Sequence, residues 1–193
     1  MKPLTATIMI AGILATVMAF AQAERSEIEA RIKNWQRVVA RNPQDYETIT
    51  AIGAAYGKLG NHETAVIYFK KALEANPSYA GAYAGLGSAY GFLRRPAEAL
   101  AALEKAVLLD PKDPAIQGKL GTTLGKAGQY QEAIVHLKEA VRLAPDMADA
   151  HFALGLTYIS IGDRKSAINE ETILSQLNSK QAAQLRRLID LSR

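Results

Sequence analysis

Apolar residues recur three and four positions apart through residues 46–179, in short runs broken by glycine turns and by proline. The pattern predicts four pairs of helices. They run over 46–59 with 63–75, 80–93 with 97–109, 114–127 with 131–143, and 148–161 with 165–177. Turns such as Leu59-Gly60-Asn61 and Ile161-Gly162-Asp163 join the two members of a pair. In the second pair Arg94-Arg95-Pro96 replaces the glycine turn, and Pro96 starts the next helix. Asp113-Pro114 reads as an N-cap followed by proline in the first turn. Ahead of the pairs, Ile28, Ile32, Trp35, Val38 and Val39 mark an amphipathic helix over 24–42.

The pairs share one period. Pro43, Pro77, Pro111 and Pro145 are 34 residues apart, and Gly53, Gly87, Gly121 and Gly155 keep the same spacing. Ile52, Leu86, Leu120 and Leu154 precede those glycines. Ala65, Ala99, Ala133 and Ala167 form a further column, and Tyr56, Tyr90, Leu124 and Tyr158 another. A glycine in a helix lets a second helix approach closely, because a side chain there would overpack the contact. The alanines serve the same contact from the opposite helix. Each proline stands just past a helix end, where it cannot continue the helix.

In these columns the chain resembles the tetratricopeptide-repeat (TPR) family, a 34-residue helix-turn-helix repeat. Residues 80–90, Ala-Gly-Ala-Tyr-Ala-Gly-Leu-Gly-Ser-Ala-Tyr, carry the first half of the signature, and Ala99, Leu103, Ala106 and Pro111 the second. The resemblance spans about residues 46–179 and implies an all-α, right-handed superhelical solenoid of antiparallel helix pairs. The expected organisation is a half-repeat helix in 24–45, repeats at 46–79, 80–113 and 114–147, a degenerate repeat at 148–179, and a capping helix in 180–193. Trp35 falls in the column of Phe69, Leu103 and Leu137, which predicts a core position. Glu171 stands in that column of the fourth repeat, and Ser179 replaces the proline. Leu185, Leu188, Ile189 and Leu191 then supply a final helix that covers the last apolar face.

Residues 1–23 are of another material. Lys2 is the only charge before Glu24, the stretch from Leu4 to Phe20 is apolar, and Ala21-Gln22-Ala23 has the small-x-small form of a cleavage site. A signal peptide is expected, with a membrane anchor as the alternative. Either places the rest of the chain outside the cytoplasm. A periplasmic location is expected, with inner-membrane anchoring as the other possibility.

Composition narrows the chemistry. There is no cysteine, which excludes disulfides, thiolate metal sites and a thiol nucleophile. The formal net charge of +4 comes from interspersed charges of both signs, so no arm for nucleic acid is indicated. His62, His136 and His151 lack the spacing of a helical metal site, and His151, in the Tyr83 column, reads as a packing residue. Neither a nucleophile elbow nor a phosphate-binding glycine loop is present. No cofactor, no metal and no catalytic residue are expected, and the chain reads as a binding protein rather than an enzyme.

The family resemblance implies a concave groove lined by the first helix of each pair, with another protein as partner, bound as an extended peptide or a helix. The groove columns carried over are Thr50 and Lys58, then Ser88 and Phe92, then Lys119, Thr122 and Lys126, then Phe152 and Leu156. Lysines early and apolar side chains late (with Ile159) suggest a segment with an acidic or carboxylate end and an apolar anchor; the alternative is surface lysines and inter-repeat packing. The clamp that the family uses for chaperone tails resembles a Lys and Asn pair, and Thr50 and Ala54 stand in those columns here. Gly57, Gly91 and Gly125 also recur at 34 residues. Relief of crowding between helices, or inheritance by repeat duplication, is expected there, with close approach of a ligand backbone as the alternative.

Overall fold

The structure, a computed structural model, describes residues 3–192, with side chains from residue 15 onward. The described residues form ten helices and no strand. After α1 (Pro3–Arg41) come the pairs α2 (Tyr46–Lys58) with α3 (His62–Ala75), α4 (Ala80–Phe92) with α5 (Pro96–Leu109), α6 (Pro114–Lys126) with α7 (Tyr130–Leu143), and α8 (Ala148–Ser160) with α9 (Arg164–Gln176). The last helix is α10 (Gln181–Leu191). The repeat pattern thus places every paired helix within a residue or two of its observed ends. Consecutive helices pack on each other, and α2, α4, α6 and α8 also stand side by side. This is the expected solenoid.

Local chemistry sets the ends. Asp45 caps α2, accepting from the Thr48 backbone N–H (3.0 Å) and hydroxyl (2.8 Å). Asp113 caps α6 through the N–H groups of Ala115 and Ile116, with Pro114 in the first turn. Gly60, Gly128 and Gly162 turn the chain with φ of 79°, 81° and 77°. Arg94 occupies the same turn position at φ 56°, a left-handed conformation that an L side chain adopts at a cost of about 1 kcal/mol.

The core is built on the glycine column. A Cβ on Gly53 would lie 3.0 Å from the Phe69 ring, one on Gly87 2.5 Å from Leu103 Cγ, and one on Gly121 2.6 Å from Leu137 Cγ. Phe69 also fills the space beside Gly85 of the following pair. In the fourth repeat the partner changes. Gly155 faces Leu185 of α10, and Glu171 turns to Arg186 of the same helix. The expected cap is therefore held by an apolar contact and a buried carboxylate together.

One expectation needs correction, and a second is met only in part. The helix placed at 24–42 does not start there: α1 is continuous from Pro3, so 24–41 is only its last part. Trp35 packs on the core cluster of Ile32, Val39, Ile49 and Ile52, as expected, but it is open on one side. It is half-buried, with the Arg31 guanidinium 4.8 Å from its ring centre. The reason is that α1 runs straight on and has no helix of its own pair to cover it. The expected leader over 1–23 lies largely outside the described side chains. Among the described residues no helix is long and apolar enough to cross a membrane.

Candidate partner-binding groove

The first helices of the pairs present two adjoining clefts, of about 560 and 680 Å³. Ser88, Phe92 and Lys119 line both. The smaller adds Lys58 and His62, and the larger adds Thr122, Lys126, Met147 and Asp149. Six of the nine groove residues expected from the sequence thus meet on one continuous surface. Thr50, Phe152 and Leu156 stand outside both clefts. The Thr50 hydroxyl donates to the Tyr46 carbonyl (2.7 Å). Phe152, Leu156 and Ile159 are partly buried against the core that runs from α4 to α10, so the late apolar stretch is used in packing.

Helix geometry positions the rest. Ser88 and Lys119 sit on neighbouring first helices, and Lys119 Nζ donates to Ser88 Oγ at 3.1 Å. Ser88 in turn donates to the Ala84 carbonyl at 3.0 Å. Phe92 ends α4 and is 71% exposed, yet it stacks flat on His62 with centroids 4.4 Å apart and planes at 1°. Phe92 borders both clefts, and His62 the smaller one. Thr122 is half-buried, and Lys58 and Lys126 are exposed. The carboxylate in the lining, Asp149, accepts from Gln181 of α10 at 2.8 Å. Lysine charge therefore dominates the lining, and the one opposing charge is already bonded.

Gly57 lines the smaller cleft and Gly91 the larger. Crowding does not explain either, which leaves repeat duplication or a ligand backbone of the expected reasons. A Cβ on Gly57 would meet only Ala65 Cβ at 4.0 Å, and one on Gly91 would meet nothing within 4 Å. At Gly125 the nearest atom, Thr157 Oγ1 at 3.4 Å, is an ordinary contact.

Away from the groove, the buried polar groups are matched by partners. His151 is 5% exposed, with Nδ1 2.7 Å from Glu170 Oε2 and Nε2 3.0 Å from the Pro145 carbonyl. The third repeat carries the same arrangement in other residues. Gln117 Nε2 donates to the Pro111 carbonyl (2.8 Å), and Gln117 Oε1 lies 2.8 Å from His136 Nδ1. Burial lowers the basicity of His136. These histidines join the helices of a pair. Among the described residues no group of three or more His, Asp or Glu is placed to hold a metal.

One family model, described as tetratricopeptide repeat, matches residues 57–121, and a second, described as TPR repeat, matches residues 123–162. The chain is a TPR protein. Among solved structures, this TPR chain is similar to the crystal structure of MamA, at 24% identity and TM-score 0.69, covering 84% of this chain and 95% of that one. YrrB, titled a TPR protein with an unusual peptide-binding site, aligns at 22% identity and TM-score 0.68, covering 92% and 88%. TTC0263, a thermophilic TPR protein in Thermus thermophilus, aligns at 24% identity and TM-score 0.70, covering 91% and 94%. At these identities the likeness is one of fold. No curated protein sequence matches the chain.

Among the lining residues that the sequence reading did not place in the groove are His62, Thr123, Met147 and Asp149. His62 starts the second helix of its pair, and Met147 and Asp149 flank the start of α8. Groove columns drawn along the first helices pass over the start of α3 and the N-cap of α8.

Proposed function

We propose that this TPR protein is a non-enzymatic scaffold that captures an extended, acidic segment of a partner protein along the Lys58–Lys119–Lys126 surface. The carrying observation is the charge of the two joined clefts, where three lysines stand against one carboxylate that Gln181 already holds. Opposite charge steers such a segment in and sets its register. The exposed Phe92 ring, held flat by His62, offers an apolar anchor between the acidic contacts. YrrB, a fold relative whose title gives it a peptide-binding site, supports the use of such a surface for peptides.

The scaffold acts in the cell envelope in this reading, since Lys2, the apolar stretch from Leu4 to Phe20 and Ala21-Gln22-Ala23 have the order of an export signal. A membrane-anchored scaffold is the second reading. It rests on the length of the uncharged stretch from Pro3 to Ala23. The mass of the exported chain separates the two, because cleavage leaves Glu24 first.

The groove is tested with a labelled peptide of alternating Glu and Gly carrying one central Phe. The Lys119→Glu, Lys126→Glu double variant should lose binding while its far-UV circular dichroism stays unchanged. Undiminished binding by that variant would sink the proposal.

A further inference from the structure

In each complete repeat the second helix turns three columns against the first helix of its own pair. In the first repeat these are Ala65, Phe69 and Ala72, all buried, and their counterparts in the next two repeats are buried as well. Thirty-four residues earlier the same columns of α1 hold Arg31, Trp35 and Val38. Here Arg31 is exposed, Trp35 is half-buried and Val38 is 39% exposed. The helix that would cover them is missing, because α1 runs straight on instead of turning back.

The other repeats show what fits such a face. The first helix sets Gly53 over Phe69, at 3.0 Å from an added Cβ, and Gly57 over Ala65, at 4.0 Å from Cβ to Cβ. In the third repeat, Gly118 lies over Ala140 at 3.8 Å. A covering helix thus presents one residue to the ring column, the residue three before it to the third column, and the residue four after it to the first. On α1 the first column is an arginine. Of the cations on this stretch Arg31 alone shares the face of Trp35, with its guanidinium over the ring, while Lys33 lines a different cleft and Glu27 stands one turn before Arg31. A small cleft along Trp35, Ala51, Ala54 and Lys58 leads from this face to the groove.

We propose that the Arg31–Trp35–Val38 face docks one amphipathic helix of another protein. That helix carries a small residue over Trp35, a second small residue three positions earlier over Val38, and Asp or Glu four positions later against Arg31. Shape follows from the repeats, and charge from Arg31, which lies over Trp35 on this face, with Lys58 of α2 in the same cleft. The surface borders the lysine groove at Ala54 and Lys58 but does not include Lys119 or Lys126.

Trp35 is the single tryptophan of the chain and reports directly on this face. The probe is a lactam-stapled helical peptide with the sequence of residues 46–59, carrying Thr50→Ala and Gly57→Glu. Titration into the full chain should shift Trp35 emission to the blue and saturate. Arg31→Glu should weaken binding by about tenfold or more, and a Gly57→Lys version of the peptide should recover it. Lys119→Glu with Lys126→Glu should leave this titration unchanged, which keeps it distinct from failure of the groove. Emission unmoved by the helical peptide would overturn the proposal, as would equal affinity of both peptides for both chains. So would emission of the free chain that is already blue: if it reddens on dilution the occupant is a second copy, and if it holds at every dilution the chain covers itself.

Discussion

Leu185 of the last helix stands directly against Gly155 of α8, the place that Phe69, Leu103 and Leu137 fill for the glycines of the earlier repeats. A methyl group on Gly155 would collide with the leucine. Gly155→Ala should therefore destabilise the chain by about 1–3 kcal/mol, and Leu185→Ala by about 2–5 kcal/mol through the cavity left behind. Urea unfolding followed by circular dichroism measures both. Unchanged midpoints would mean that α10 does not cap the solenoid.

Gly91 is the opposite case. Its Cβ would meet nothing, so Gly91→Ala should stabilise the chain by about 0.5–1 kcal/mol through helix propensity alone. A partner backbone lying close over α4 would make the same substitution weaken acidic-peptide binding. Melting and binding measured on one variant separate the two effects.

Arg94 turns the chain at φ 56° where the other pairs use glycine. Arg94→Gly should relieve about 1 kcal/mol of backbone strain, less what glycine gains in freedom when unfolded. A small rise in melting temperature is expected. Arg94→Val should lower it, since a β-branched residue tolerates positive φ poorly.

Glu171 is 4% exposed and accepts two bonds from Arg186, at 3.1 and 2.5 Å. The guanidinium holds its carboxyl below the usual glutamate range, and the Ser175 hydroxyl adds to that against the effect of burial. A depressed folded value means that the stabilisation is complete above the ordinary glutamate range, about pH 4.3. It is lost as pH falls through the lower folded value. Arg186→Ala should lower the melting temperature at neutral pH, because it leaves a buried carboxylate unpaired, and should lose most of that effect in acid. A deficit equal at pH 7 and pH 3 would contradict the pairing.

The helices and their turns were legible in the sequence because each rests on local chemistry repeated four times. Pro43, Pro77, Pro111 and Pro145 stand just past helix ends, Pro96 and Pro114 open helices, Asp113 caps one, and Gly60 and Gly162 supply a left-handed turn. The contacts of the cap were not legible. Glu171 reads as a polar interruption in the Phe69 column until α10 brings Arg186 to it from 15 residues away. Phe152 and Leu156 read as groove residues because their column is a groove column elsewhere, but here they lean on the core.

The sequence by itself determined the period, the pairing of helices and the glycine column, since steric fit between neighbours in the chain dictates all three. The tertiary structure alone decided which columns are covered. Lys119 reaches Ser88 and Phe92 reaches His62 only because successive repeats stack at one angle. Trp35 packs on the core from one side and is left open on the other because α1 runs straight on rather than folding back over it, so a column sealed in every complete repeat is half-open on an unpaired helix.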